Sequence, residues 1–83
     1  MPMYLDIHQD VEGLTEDAVA GAHARDLAVQ QQFGVTYRQY WFDEATGKVF
    51  CLVEAPNKEA AIAVHREAHR LVADEIVEVK TGA

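Results

Sequence analysis

The sequence is short of cysteine, of cations and of long apolar runs, and each shortage excludes a class of protein. Cys51 is the one cysteine among 83 residues, which excludes an intrachain disulfide and a zinc-finger arrangement of ligands. Only seven Lys and Arg residues stand against 14 Asp and Glu, for a net charge of −7. Phosphate binding needs clustered cations, so no nucleic-acid partner is expected. Because there is no signal peptide and no apolar run of membrane length, we expect a cytoplasmic protein with no membrane contact.

What is present is the composition of a small globule. Hydrophobic residues make up 49% of the chain and charged residues 25%, which is ordinary for a soluble domain. We expect one domain over residues 1–83, without a tail or linker. A chain of this length buries a small share of its surface on folding, so its core is marginal and a homodimer is expected. The acidic surface favours cations as partners.

Side-chain periodicity predicts the element order βαββαβ. Alternation with period two marks strands, and apolar spacing near 3.6 marks helices. Thr15 and Asn57 are good N-caps for the two helices, and Gly34 provides a stop for the first. The predicted strands are residues 3–8, 35–42, 48–55 and 75–79, and the predicted helices are residues 16–33 and 58–71.

This order predicts an α+β, ferredoxin-like fold, in which one antiparallel sheet carries both helices on the same face. The other face of the sheet then needs cover. Strand 35–42 is rich in aromatic residues, and side chains such as Tyr37 or Tyr40 and Trp41 would suit a second subunit. The sequence leaves open which alternating set faces outward.

Two histidines one turn apart, His65 and His69, lie on the second predicted helix. Both fall just beyond the edge of the apolar stripe that must face the core. That stripe comprises Ala60, Ala61, Val64, Ala68, Leu71 and Val72. Histidines four apart share one face of a helix, which suits a shared metal ion. The alternative is a pair of boundary histidines whose nitrogens reach water.

The first helix carries a carboxylate where an apolar residue is expected. Asp26 falls inside the arc marked by Ala22, Val29 and Phe33, with His23 beside it. A buried carboxylate is costly unless it is paired, so Asp26 needs a positive or hydrogen-bonding partner. Two interpretations stay open: a local bond between His23 and Asp26, or a metal site to which both contribute.

Asp6 and His8 are two residues apart on the first strand and therefore share a face with Tyr4. If that face meets the helices, Asp6 and His8 join His23 and Asp26 in one polar cavity. If it faces away, they belong to a surface or intersubunit site.

The third strand holds two further candidates. Glu54 is the only charge in an otherwise apolar run, and it either binds a metal or ends the strand in solvent. Cys51 is interpreted as a small buried hydrophobe without chemistry of its own.

Six segments occur in an order typical of one family. They are YLDIH (4–8), AHARDL (22–27), YW (40–41), GKVFCLVEAP (47–56), VHREAH (64–69) and ADE (73–75). Together they resemble the small bacterial nickel-binding, ferredoxin-like family that was long catalogued as a domain of unknown function. The resemblance covers nearly the whole chain. One departure is Arg70, where the family pattern leads us to expect a glycine.

The resemblance implies a homodimer that binds nickel (Ni2+) for storage or handling, without catalysis. It implies metal roles for four histidines and three carboxylates, which are His8, His23, His65 and His69 with Asp6, Asp26 and Glu54 as oxygen ligands or ligand partners. Imidazole and carboxylate also suit Zn2+, Cu2+ or Co2+. The choice of nickel therefore comes from the resemblance.

Two other functions are compatible with the sequence. A dimeric α+β barrel-type enzyme would use a pair such as His23 and Asp26 for acid–base chemistry on a small molecule. The chain offers no nucleophile motif, phosphate loop or cofactor fingerprint for it. A closed apolar cavity beside His23 would favour it, whereas a solid core there would remove it. An interaction module would use the polar residues only to satisfy one another.

Overall fold

The computed structural model describes residues 1–82. Its elements are β1 (Met3–His8), α1 (Glu16–Val29), a 3-10 turn (Gln30–Phe33), β2 (Thr36–Asp43), β3 (Lys48–Glu54), α2 (Lys58–Ala68) and β4 (Glu75–Val79). The four strands form one sheet in the order β2-β3-β1-β4, and every neighbouring pair is antiparallel. This arrangement confirms the predicted α+β, ferredoxin-like fold.

Helix α1 begins as predicted and ends earlier. The Thr15 side chain accepts a hydrogen bond from the Ala18 amide at 3.1 Å, and this satisfies one of the free donors of the first turn. The regular helix stops at Val29, and the chain tightens into the 3-10 turn before Gly34 reverses it with a φ of 67°. Glycine adopts this left-handed conformation without a steric penalty.

Helix α2 also ends before the predicted residue. The His65 carbonyl accepts from the amides of both His69 (3.0 Å) and Arg70 (2.8 Å), and Arg70 has a φ of 66°. The helix therefore stops at Ala68, and a residue with a Cβ occupies the left-handed position that glycine favours after a helix. Leu71 is 52% exposed and Val72 is exposed as well, so their assignment to the core stripe was wrong.

The structure decides which face of β1 meets the helices. Tyr4, Asp6 and His8 are buried, whereas Leu5 and Ile7 lie on the opposite, half-buried face. The polar set thus points into the layer between sheet and helices, and the apolar set points away from it. This is the inward alternative of the two that the sequence left open.

The outer face of the sheet carries apolar side chains on all four strands. Leu5 lies opposite both Leu52 and Val77, and Phe50 lies between Ile7 and Trp41. Trp41 is 44% exposed, whereas Tyr37 is buried in the core with its side chain on the helix face. Exposed apolar area of this extent is typical of an interaction surface.

The core lies between the sheet and the two helices. Its buried apolar residues are Tyr4, Val19, Val35, Tyr37, Val49, Cys51, Val53, Ala55, Ala61 and Val64. Four polar residues, Asp6, His8, Asp26 and His65, are buried with them. Within residues 1–82, no helix has the length and apolar character needed to cross a membrane.

Candidate metal centre

His65 lies at the centre of the buried polar residues, held between two carboxylates. Its Nδ1 is 2.8 Å from Asp26 Oδ1 and its Nε2 is 2.8 Å from Asp6 Oδ2, and the side chain is only 2% exposed. Burial alone lowers the pKa of His65, but the adjoining carboxylates of Asp26 and Asp6 outweigh it and raise the pKa to about 11. At neutral pH the metal-free protein therefore holds His65 as an imidazolium.

The two contacts of His65 are not equivalent. Nδ1 and Asp26 Oδ1 are hydrogen-bonded, whereas Nε2 and Asp6 form a close ion pair without hydrogen-bond alignment. Among residues 1–82, His65 Nε2 and Asp6 Oδ1 are the two buried side-chain atoms without a hydrogen-bond partner. Buried polar atoms are hydrogen-bonded in most proteins, so this corner is short of hydrogen bonds although its charges are paired.

Asp26 has the partners that its position in the apolar arc required. Its Oδ1 also lies 3.0 Å from His69 Nε2. Burial raises the pKa of Asp26, but hydrogen bonds from His65 and His69 outweigh it, and the net pKa is lowered. The local bond to His23, one of the two interpretations that the sequence left open, is absent from the described part of the chain, where the His23 ring packs on Tyr40 with the ring centroids 4.7 Å apart.

His69 follows the end of α2, and its ring packs against that of His65 with centroids 4.8 Å apart. The side chain is 5% exposed, and its Nδ1 accepts from the Leu71 amide at 3.1 Å. The alternative of two boundary histidines reaching water is therefore wrong. The physical reason is that this end of α2 packs against α1, which carries Asp26.

Strand β1 supplies the other wall of the cluster. The His8 ring centroid is 5.1 Å from that of His65. Burial, followed by the nearby charge of His65, lowers the pKa of His8, which favours the neutral imidazole that a metal ion would need. The Tyr37 hydroxyl lies 3.1 Å from both Asp6 Oδ2 and the Ala61 carbonyl and holds Asp6 in place.

Tyr37 and Cys51 belong to the cluster, although sequence reasoning gave them no role in a site. Tyr37 stacks on His65 with ring centroids 4.9 Å apart, and Cys51 is buried opposite Asp6 in the neighbouring strand. No local signal would have found Tyr37, because its position depends on a register shift between Tyr37 and Gln39 in β2. Cys51 could have been found, because alternate residues of β3, namely Val49, Cys51 and Val53, are buried.

Glu54 lies apart from the other predicted residues. It is opposite Met3 in the sheet, whereas His8, at the other end of β1, is opposite Val49. Its Oε1 accepts a hydrogen bond of 2.7 Å from Arg38 Nε and is ion-paired with that guanidinium. The structure thus brings together Asp6, His8, Asp26, His65 and His69, places His23 beside them, and leaves Glu54 at the far end.

The donor atoms have the spacing that a metal ion requires. Asp26, His65 and His69 form one group of three donors, and His8, Cys51 and His65 form another, each with its atoms within 4.8 Å of one another. In an octahedral complex with bonds of about 2.1 Å, neighbouring donors are roughly 3.0 Å apart. The separations around Asp26 Oδ1, 2.8 and 3.0 Å, are the lengths of the polar contacts that now join these atoms, and the three donors are close enough together to turn towards one divalent cation.

A partly open cavity of about 180 Å³ leads from solvent to the cluster. Its polar wall includes His8, His23, Asp26 and His69, and its apolar wall includes Leu14, Val19, Ala22 and Val49. An ion or a small molecule therefore has a route to the buried donors between α1 and the sheet.

Comparison with known proteins agrees with this chemistry. A family model described as nickel responsive protein, SCO4226-like, matches residues 4–79. The crystal structure of SCO4226 from Streptomyces coelicolor A3(2) superposes with a TM-score of 0.91 at 41% identity, covering 98% of this chain and 99% of that one. Among curated proteins nothing matches. The chain belongs to the SCO4226-like family of nickel-responsive proteins.

Proposed function

We propose that this protein binds a divalent transition metal, with nickel as the leading candidate. It would store or handle the ion without catalysing a reaction. The observation that carries the proposal is the group of Asp26 Oδ1, His65 Nδ1 and His69 Nε2, with separations of 2.8 and 3.0 Å at the end of an open cavity. Asp6, His8 and His23 stand beside this group as further ligands or ligand partners. Glu54 is too far along the sheet to join the same ion.

Charge balance favours a divalent cation over the proton that now occupies the site. Two carboxylates, Asp6 and Asp26, face a single imidazolium at His65. A divalent ion bound by neutral imidazoles would balance both carboxylates, whereas the imidazolium balances one. In a buried cluster of low dielectric constant this difference is large.

Metal binding must also displace the proton that links His69 to Asp26. His69 Nδ1 accepts from the Leu71 amide, so Nδ1 carries no proton and the ring N–H is on Nε2, which faces Asp26. A metal ion on Nε2 would take the place of that proton, which would move to Nδ1. Nδ1–H and the Leu71 amide would then be two donors facing each other, so this contact would open and the exposed segment after α2 would adjust.

The preference for nickel rests on the family and on the donor set together. Nitrogen and oxygen donors suit nickel, zinc and copper alike, and copper binds most such sites more tightly. SCO4226 is described as nickel responsive, and we extend the same ion to this chain. A cytoplasmic location is part of the proposal, since the free thiol of Cys51 suits a reducing compartment.

The homodimer is proposed from the outer face of the sheet. Leu5, Phe50 and Trp41 lie on this face beside further apolar side chains, and Trp41 is 44% exposed. Pairing two such faces would bury apolar area that a small core lacks. Sedimentation of the wild type beside Trp41→Glu tests it, with a dimer expected for the first and a monomer for the second.

Calorimetric titration with Ni2+ at neutral pH tests the metal-binding function. We expect saturable uptake by the wild type and its loss in Asp26→Asn and His69→Ala. Glu54→Gln is the matched control for Asp26→Asn, because it neutralises a carboxylate outside the cluster, and it should bind nickel as the wild type does. Absence of saturable uptake by the wild type, or equal uptake by Asp26→Asn and Glu54→Gln, would overturn the proposal.

A second candidate function is acid–base chemistry on a small molecule. The observation that favours it is the cavity of about 180 Å³ beside His23, which has an apolar wall. His23 does not pair with Asp26, so the acid–base pair would be His69 with Asp26, whose atoms are 3.0 Å apart at the cavity wall. NMR screening of small aromatic carboxylates against metal-free protein tests it, since shifts confined to cavity residues support the enzyme and their absence removes it.

A further inference from the structure

A second group of donors lies on the strand side of His65. Cys51 of β3 is the register partner of Asp6 in β1, and His8 is two residues further on the same face. Cys51 and His8 are each 7% exposed. Cys51, His8 and His65 each present a ligand atom within 4.8 Å of the other two.

An independent observation shows that this corner lacks a partner. Asp6 Oδ1 has no hydrogen-bond partner among residues 1–82, although Asp6 is only 1% exposed, and His65 Nε2 lies 2.8 Å from the other Asp6 oxygen, Oδ2, in an ion pair without hydrogen-bond alignment. Leaving such atoms unpaired is costly. Both atoms belong to side chains that border Cys51, and a metal ion that replaced the Nε2 proton of His65 would bind Nε2 and Asp6 Oδ1 together.

We propose that Cys51, His8 and His65 Nε2, with Asp6 as the fourth donor, form a separate site for a thiophilic divalent cation of the zinc class. The inference rests on the proposed function in that it shares His65 with the nickel-binding group. The two groups use opposite nitrogens of one ring, since Nδ1 faces Asp26 and Nε2 faces Asp6. A neutral imidazole has one free lone pair, so His65 binds one ion at a time. The thiolate distinguishes the inner site from the outer one, whose donors are nitrogen and oxygen.

The donor types and their spacing suit tetrahedral coordination. Zinc binds thiolate at about 2.3 Å and imidazole at about 2.1 Å, which places tetrahedral donors roughly 3.5 Å apart. The observed separations are at most 4.8 Å, so small side-chain movements close the site. One sulfur, two nitrogens and one carboxylate oxygen make a complete set of four.

Cys51 is buried and would bind a metal ion as the thiolate, so its thiol proton would leave when the ion binds. The expected signature of an occupied inner site is therefore a metal–thiolate bond, which a nickel ion on Asp26, His65 and His69 does not form.

Cobalt titration followed by absorption tests the inner site, with Co2+ as the spectroscopic stand-in for zinc. We expect a thiolate-to-cobalt charge-transfer band in the near ultraviolet that saturates at one equivalent per protomer and is bleached by Zn2+. Cys51→Ser should lose the band and keep nickel uptake. His69→Ala should keep the band and lose nickel uptake.

A second measurement uses the wild type, so it does not depend on whether a variant folds. X-ray absorption of the zinc-loaded wild type should show a sulfur scatterer at about 2.3 Å. A shell of nitrogen and oxygen alone, or a charge-transfer band that persists in Cys51→Ser, overturns the inner site. Loss of the inner site with normal nickel uptake leaves the proposed function standing, whereas failure to bind any cation removes both.

Discussion

Asp26 of α1 and His65 of α2 are joined by a 2.8 Å contact between Oδ1 and Nδ1, with both side chains almost fully buried. The pair links the two helices across 39 residues of sequence and places an imidazolium where an apolar side chain would pack. The same ring reaches Asp6 of β1 on its other side. One histidine therefore ties both helices and the sheet together at the point where the cavity ends.

Removing His65 should destabilise the metal-free protein strongly. His65→Leu keeps much of the volume and leaves Asp6 and Asp26 buried without a positive partner. Breaking a buried ion pair in this way costs about 3–5 kcal/mol. His23→Leu, at a half-buried position beside the same cavity, should change the free energy of unfolding by less than about 1 kcal/mol. Urea unfolding measures both, and similar losses in the two variants would contradict the central role of His65.

Stability of the metal-free protein should fall as the pH rises above neutral. The pKa of His65 is raised from 6.5 to about 11, so the imidazolium contributes fully below about pH 6.5 and its contribution is lost as the pH rises towards 11. Asp26, whose pKa is lowered, contributes above its ordinary value near 3.8 and loses that contribution on acidification. Thermal unfolding across this range should show a maximum in the weakly acidic region, and a flat alkaline limb would count against a charged His65.

Nickel affinity should rise with pH through the whole neutral range. Because His65 holds a proton up to a pKa of about 11, the metal must displace it at every pH below that value. One displaced proton makes the affinity increase about tenfold per pH unit. Calorimetry at pH 7 and pH 8, in buffers of different ionisation enthalpy, gives both the slope and the number of protons released. An affinity that levels off above pH 6.5 would show that the metal does not use His65.

Arg70→Gly should stabilise the fold. Arg70 adopts a φ of 66° at the end of α2, a conformation in which a Cβ is strained and glycine is not. The gain should be about 0.5–1 kcal/mol. Arg66→Gly, an exposed change inside α2, is the matched control and should cost about 1 kcal/mol. Equal effects of the two substitutions on chemical unfolding would refute the strain at Arg70.

The fold was readable from the sequence because its signals are local. Alternation in β1, the caps Thr15 and Asn57, and the stop at Gly34 each depend on a few neighbouring residues, and the structure retains them. The end of α2 was misjudged because the usual glycine signal is absent and Arg70 takes its conformation. Where glycine is absent from the position after a helix, the neighbouring residues do not mark the helix end.

The site was readable only in part. Burial of Asp26 followed from its place among apolar residues, and so did its need for a partner. The identity of that partner did not, since His65 is 39 positions away and the neighbouring His23 was the local choice. In the sequence, Glu54 looked equivalent to the other carboxylates. The pairing of β1 with β3, which the sequence does not give, places Glu54 and His8 at opposite ends of the sheet.

The sequence by itself determined the order of strands and helices, the acidic character and the set of side chains able to bind a metal, because these depend on residue type and short-range periodicity. Only the tertiary structure decided that the polar face of β1 points inward, that His65 lies between Asp6 and Asp26, and that Cys51 borders the same ring. Such contacts join residues of four elements, and only packing of the helices on the sheet brings them within bonding distance.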